Sequence, residues 1–442
     1  MTLLWHAPDR DRPWSVALQT APGAPWTPMA APAWTRVAVT GIPAHRVYSA
    51  LLRPLRPGQR FQYRVRLGGA TVFTSAGRTP PGPGRPMRVA VTGDLGMGGP
   101  EHRALAHGLY RQRPDLVVLP GDLVYQDGRI SEYRRHFFPV YNADQAGPGT
   151  GAPLLRSTLM VGVLGNHDVG ERGPLHPAAS DPDAMAYYLY WRQPLNGPAQ
   201  PGAPPLRPGA TWTWDAFLEA AGPRFPTMGT FSFTAGDAHW TVLDSNPYTR
   251  WDSPELQRWL EQDLQGAAGA PWRFVVFHHP PFNFSPSNLY QDQWMGRLWP
   301  LFQRHRVAIV FTGHIHTYVR TRPLRFVPDP KSLAALDPEA GRGRLTGDLT
   351  WDAAFDGATG TRAQDPILIV TGGGGAPLHL KGKAQRVQPN PWVAKHLPDE
   401  PTFSILDIRG GTLAFSQRNA AGDTVDQFTL ASPAGPTSPA PR

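Results

Sequence analysis

Residues 117–125 read VVLPGDLVY. Val117, Val118 and Leu119 form a short apolar run, Pro120 and Gly121 break it, and Asp122 and Tyr125 follow at once. A run that short and that continuously apolar predicts a strand buried on both faces of an α/β sheet. Residues of metal-ligating type then stand at its carboxyl end. The same figure recurs four times. Residues 89–92 lead into Gly93 and Asp94, residues 161–164 into Gly165, Asn166, His167 and Asp168, residues 274–277 into His278 and His279, and residues 309–312 into Gly313, His314, Ile315 and His316. In open α/β sheets the carboxyl edge is where ligands bind. Glycine ahead of four of the five polar groups lets the backbone turn sharply and brings neighbouring strand ends together.

The candidate metal ligands are Asp94, Asp122, Tyr125, Asn166, His278, His314 and His316, enough for two ions if one carboxylate is shared. Two cations about 3.5–4 Å apart clamp the attacking and leaving oxygens of a phosphoryl displacement and make hydroxide accessible near neutral pH. Each piece alone has an ordinary explanation. A single Gly-Asp is usually a turn, His-Xaa-His suits an exposed strand face, and Asn-His-Asp suits an Asx turn. Five such accidents would all have to fall at strand ends of one domain.

Outward from these strands, helices are expected at 100–113, 254–264 with Ser253 as cap, and 291–304. Residues 171–228, rich in Pro and Trp, read as an insertion near the mouth of the sheet, and 325–365 as a second one. Strands return at 402–408, 412–417 and 424–430. From residue 14 to about 79 the pattern is all-β: FQYRVRL, a Gly-Gly turn and TVFTS predict a hairpin. TPPGPGRP at 79–86 is a linker. The expected domains are therefore a β-sandwich at 1–80, a metal-bearing α/β domain at 87–430 and a disordered tail at 431–442.

Composition bounds the function. The 442 residues contain no cysteine, which excludes disulfides, thiolate zinc sites and cysteine nucleophiles, so a metal site must use His, Asp, Glu, Asn or Tyr. With 43 basic against 34 acidic residues the net charge is +9, favouring anionic partners. All but four of the basic residues are arginine, and no basic run interleaved with aromatics marks a nucleic-acid surface. No stretch has the roughly 18 consecutive apolar residues of a membrane span. The start, MTLLWHAPDRDRPW, lacks the basic and apolar regions of a secretory signal.

GDLG, GDLVY, GNHD, FHHP and GHIHTYVR, in that order, resemble the calcineurin-like metallophosphoesterases. The GDxxY form with GHxHxYxR is similar to that of purple acid phosphatases, and the leading β-region resembles the fibronectin-III-like domain of plant-type members. The implied fold is a metallophosphoesterase β-sandwich flanked by helices, behind an all-β sandwich. By that resemblance Asp94, Tyr125 and His316 bind Fe(III), Asn166, His278 and His314 bind Zn, Mn or Fe(II), and Asp122 bridges. His167 contacts the phosphate or protonates the leaving group, Asn166 and His167 touch substrate, and the family implies export. The implied reaction is hydrolysis of small phosphate monoesters by metal-activated hydroxide. The rival readings are a phosphodiesterase acting on nucleotides or phospholipid head groups, and a binding protein with a vestigial metal site.

One departure stands out. Plant-type members carry further histidines about ten residues past the FHHP ligand, where this chain reads NFSPSNLYQD. His279 is the expected substitute. Arg320 is read either as a substrate contact or as a brace of its loop, His239 as structural, and the GGGG of 372–375 as a strand-end loop near the site with a weak phosphate-cradle signature.

Overall fold

Alternate side chains of the central strands part company. In Met87–Val91, Val89 and Val91 join one apolar cluster while Ala90 joins another, and Leu116–Leu119 divides in the same way. Period-two division of a wholly buried run means that both faces are covered. Here one face is covered by a second sheet and the other by helices, giving four layers. The computed structural model describes residues 1–169, 183–199, 201–202, 211–282, 293–336, 345–358, 361–379, 381 and 390–433.

The first sheet runs Leu159–Gly162, Leu116–Leu119, Met87–Val91, Thr402–Arg409, Thr412–Asn419, Thr424–Ala431. Its first three strands are parallel and the three C-terminal strands antiparallel. The second runs Phe231–Ala235, Ala238–Val242, Trp272–Val276, Ile309–Thr312, Ile367–Thr371, Tyr318–Thr321, Val393–Leu397. Between them lies a core of Val89, Val118, Trp240, Phe274, Phe311 and their neighbours. Outside the second sheet, Leu256, Leu260 and Leu264, spaced by four, put an apolar stripe of helix Pro254–Gly266 onto Val275 and Val310. Ser253 Oγ accepts from the Glu255 N–H at the start of that helix, as its sequence predicts.

The helix expected at 291–304 has its first two residues outside the described ones, and the rest is divided. A 3₁₀ turn at Trp294–Leu298 gives way to Trp299–Arg304. Pro300 accounts for the break, because it lacks an N–H and suits only the first turn of a helix. The other two expected helices form, the first as Pro100–Arg111.

Ahead of the linker, Thr2–Pro8, His45–Leu51 and Ala33–Val37 form one antiparallel sheet, and Thr27–Pro28, Trp14–Gln19, Arg60–Leu67 and Ala70–Arg78 a second. They close on a small core that includes Val16, Leu18, Leu52, Phe61 and Tyr63. The hairpin turn uses Gly68 and Gly69, both at positive φ, as a two-residue loop matched to strand twist requires. The strand Thr2–Pro8 falls outside the β-region read from residue 14. Its LLW run does not alternate, and it is fixed by pairing with His45–Leu51.

The reading of 171–228 as an insertion at the mouth needs correction where the segment is described. Tyr187–Tyr190 and Trp191 are buried in the same cluster as Val37 and Val47 of the leading sandwich, and Tyr190 Oη is 3.0 Å from His45 Nε2. Those aromatics tie the two domains together. The second insertion forms a hairpin of Leu324–Pro328 with Gly347–Trp351. The tail from 434 lies outside the described residues. Among those described, no helix is long and apolar enough to cross a membrane.

Candidate metal centre

The two sheets present their carboxyl ends to one another. From the first come Asp94, Asp122 with Tyr125, and Asn166 with His167; from the second come His278, His314 and His316. Asp94, Asp122 and His314 take left-handed backbone, with φ of 58°, 51° and 67°. Such conformations cost about 1–3 kcal/mol each in non-glycine residues and persist where surrounding structure enforces them. Part of that enforcement is steric. A Cβ on Gly165 would strike the amide and carboxylate of Asp122, and one on Gly313 the Asp94 carboxylate. The rest is Asp168, whose buried carboxylate accepts the N–H of Gly165 at 2.8 Å and of Leu123 at 3.1 Å, pinning two ligand loops together.

All seven sequence-read ligands converge. Tyr125 Oη lies 3.3 Å from Asp94 Oδ1 and 3.0 Å from His316 Nε2. Asp94, Asp122 and His316 each offer an atom within 4.8 Å of the other two. On the other side, Asn166 Oδ1 is 3.1 Å from His278 Nε2 and 3.0 Å from His314 Nδ1. Asp122 Oδ2 is 3.3 Å from His278 Nε2, so Asp122 belongs to both groups.

The rings are oriented from behind. His278 Nδ1 lies 2.8 Å from the Pro120 carbonyl and His316 Nδ1 2.7 Å from that of Pro377; donation there leaves both Nε2 atoms for the site. Metal-binding histidines characteristically give their second N–H to such an acceptor.

The charge balance fits cations. Burial alone would raise the Asp122 carboxyl, but the imidazoles of His278 and His167 outweigh it and hold it below its ordinary value. Burial would lower His278, yet the Asp122 carboxylate pushes it up to about 9, and Asp94 likewise raises His316 against its burial. The carboxylates thus draw positive charge into the site, as a bound metal would supply it. The Tyr125 phenol is driven well above its usual value by burial and then by Asp122 and Asp94, so its anion requires a strong local cation. Phenolate and carboxylate suit Fe(III), and an amide oxygen with two imidazoles suits a divalent ion.

The remaining candidates divide. His167 borders the centre, with its backbone N–H on Asp122 Oδ1, its Nδ1 2.7 Å from the Gln126 carbonyl and its Nε2 3.9 Å from Asp122 Oδ2. His279 lies behind the ligands, with Nδ1 2.9 Å from Ser245 Oγ and its ring against His314 and Trp294. Arg320 is placed as the bracing alternative has it: its guanidinium makes two hydrogen bonds to Asp426, at 2.7 and 3.0 Å, over the Phe428 ring. The 372–375 loop clamps the strand ends, the amides of Gly372 and Gly374, with that of Ala376 beyond it, being committed to the carbonyls of Thr317, Gly93 and Asp94. His239 is structural, held by Thr234 and Asp263.

Sequence reading missed His379, stacked on His316, because it stands alone in APLHLK with no ligand-like spacing around it. It also passed over Asp168, whose position in GNHD fits an ordinary turn equally well.

A four-layer α/β sandwich whose strand ends converge on this donor set defines a metallophosphoesterase. The chain belongs to the calcineurin-like phosphoesterase family, whose model matches residues 87–318. Purple acid phosphatase 18 of Arabidopsis thaliana is 26% identical over 326 residues, covering 73% of this chain and 63% of that protein. An uncharacterized protein of Mycobacterium tuberculosis is 26% identical over 435 residues, covering 88% and 76%. The chain spans less than two thirds of the length of the plant relatives it matches. Among solved structures, purple acid phosphatase PPD1 from yellow lupin (Lupinus luteus) seeds superposes with a TM-score of 0.63 at 17% identity, covering 97% of this chain and 72% of that one. PhoD does so at 0.58 and 13%, covering 98% and 87%.

Proposed function

We propose that the protein hydrolyses phosphate monoesters at a dinuclear centre of Fe(III) and a divalent ion. The observation that carries this reading is the sharing of Asp122 between two buried donor groups, Asp94, Tyr125 and His316 on one side and Asn166, His278 and His314 on the other. When bound, such ions polarise the phosphoryl oxygens and supply an activated water.

The chain's own residues do the rest. Asp94 and Asp122 hold a negative field that retains the cations, and the Pro120 and Pro377 carbonyls fix two ring orientations. Asn166, between the two imidazoles, supports a contact to substrate oxygen. His167 keeps Nδ1 on the Gln126 carbonyl and offers Nε2 at the border of the centre, where it would meet the phosphate or protonate the leaving alkoxide. His279 is held on Ser245 behind His314, which favours His167 as the general acid.

All seven donors are present, which weighs against a vestigial site in a binding protein. No observation favours the diester over the monoester. The test is iron and divalent-metal content measured beside turnover of an aryl phosphomonoester and the matched diester across pH. Two metals per chain with faster monoester turnover are expected. Less than one metal with no turnover would reject the enzymatic reading, and preferential diester turnover would replace the substrate class.

A further inference from the structure

A large cleft of about 1220 Å³ opens between the leading sandwich and the phosphoesterase domain, apart from the metal donors. Trp5, Trp14, Phe61 and Phe73 of the sandwich line it together with Phe138 and Trp191 of the other domain. It exceeds the roughly 300–1,000 Å³ typical of small-molecule pockets and has the apolar, aromatic lining of one.

The charges around it have one sign. Arg56, Arg156 and Arg192 line the cleft, and among the described residues no aspartate or glutamate does. Arg156 is already paired with Asp144. Arg192 is different: half-buried, it donates to the carbonyls of Leu189 and Trp191 and to Thr35 Oγ1, and among the described residues no carboxylate pairs with it. Burial, then Arg224, pushes its guanidinium down to about 10. A cation desolvated without a counter-charge is costly, and an incoming anion would offset that cost. Arg56 stands exposed at the rim, as does Val72.

We infer that this interdomain cleft binds a single-chain amphipathic anion of the fatty-acid type, its hydrocarbon chain against the aromatic walls and its head group at Arg192. The site is independent of the phosphoesterase reading, since it shares none of the metal-donor residues. Its occupant would touch both walls and so add to the interdomain contact that the 187–191 aromatics already make.

Titration calorimetry on the full chain with dodecanoate, below its micellar concentration and with saturating inorganic phosphate present, tests the assignment. Binding of about one dodecanoate per chain is expected, with dodecyltrimethylammonium and butyrate both failing to bind. Arg192→Met should weaken dodecanoate at least about tenfold. Val72→Trp, at an exposed strand position that leaves the fold intact, should obstruct the mouth and do the same. Co-sedimentation with phosphatidylglycerol vesicles should leave the protein in the supernatant. Absence of dodecanoate binding, equal binding of the cationic amphiphile, displacement by phosphate, indifference to both substitutions, or sedimentation with vesicles would each overturn the proposal.

Discussion

The imidazole of His379 lies flat on that of His316, ring centroids 3.8 Å apart and planes 18° from parallel. The backbone N–H of His316 donates to His379 Nδ1 at 3.3 Å. His379 therefore sets the plane of a ring whose Nε2 faces Tyr125 and Asp94. His379→Ala is expected to weaken iron retention about 10–100-fold, the range seen when such supporting partners of a ligand are lost. His379→Phe, which keeps the flat contact, should recover most of it. Equal iron affinity in the Ala variant, read by chelator competition, would leave the Pro377 carbonyl as sufficient orienter.

Asp122→Asn removes the one charge common to both donor groups. Both metals should fall in elemental analysis, and turnover should drop at least about 100-fold. Retention of one metal at full stoichiometry would assign Asp122 to a single ion.

Tyr125→Phe isolates the phenol. With iron supplied and oxidised, the parent protein should show a visible charge-transfer band that strong reduction bleaches, and the variant should be colourless with unchanged far-UV circular dichroism. A colourless iron-replete parent would take Tyr125 out of the coordination sphere.

Arg320 and Asp426 form a largely buried pair, their side chains 13% and 8% exposed, with Tyr318 Oη also on the carboxylate at 2.8 Å. Breaking such a pair from one side costs about 3–5 kcal/mol. Arg320→Leu should therefore lower the denaturation midpoint markedly, with KM for an aryl phosphate unchanged in the folded fraction. A raised KM at unaltered stability would restore a substrate role.

Acid stability should depend on His6. Burial, then the charge of His45, pushes it down to about 3, while in the unfolded chain it titrates near 6.5. Between those values the unfolded state binds the extra proton, so stability is full above about pH 6.5 and falls as pH drops toward 3. His6 stacks on Tyr190 at 4.2 Å, and His6→Phe preserves that contact. The variant's unfolding free energy should fall less steeply from pH 6.5 to 4, by up to about 1.4 kcal/mol per pH unit. Parallel acid limbs for the two proteins would refute it.

The convergence of the seven candidate donors was legible because each needed only a local pattern: an apolar run, a turn, a residue of ligand type. Asp122 and Tyr125 share one strand end, and His314 and His316 another, so a window of ten residues contains the signal. Arg320 was ambiguous because its partner Asp426 is 106 residues away and carries no motif. The aromatic run at 187–191 reads as part of an insertion near the mouth of the sheet for the same reason: its burial depends on Val37, Val47 and His45 in another domain. The interdomain cleft has no local signature either, since its two walls come from separate folding units.

The division of the donors between two sheets also sets an order during synthesis. Asp94 leaves the ribosome early, yet the His314 amide that caps its carboxylate lies 220 residues later. The strand that carries Asp94 is flanked by one still further on, as the Arg88 to Asp407 pairing across 319 residues records. Contacts of such sequence separation form late. A nascent chain halted before residue 314 has the parallel strands that carry Asp94, Asp122, Tyr125, Asn166 and His278 but neither His314 nor His316. The complete set of seven candidate donors is therefore out of reach of a growing chain until its second sheet has been made as far as residue 316.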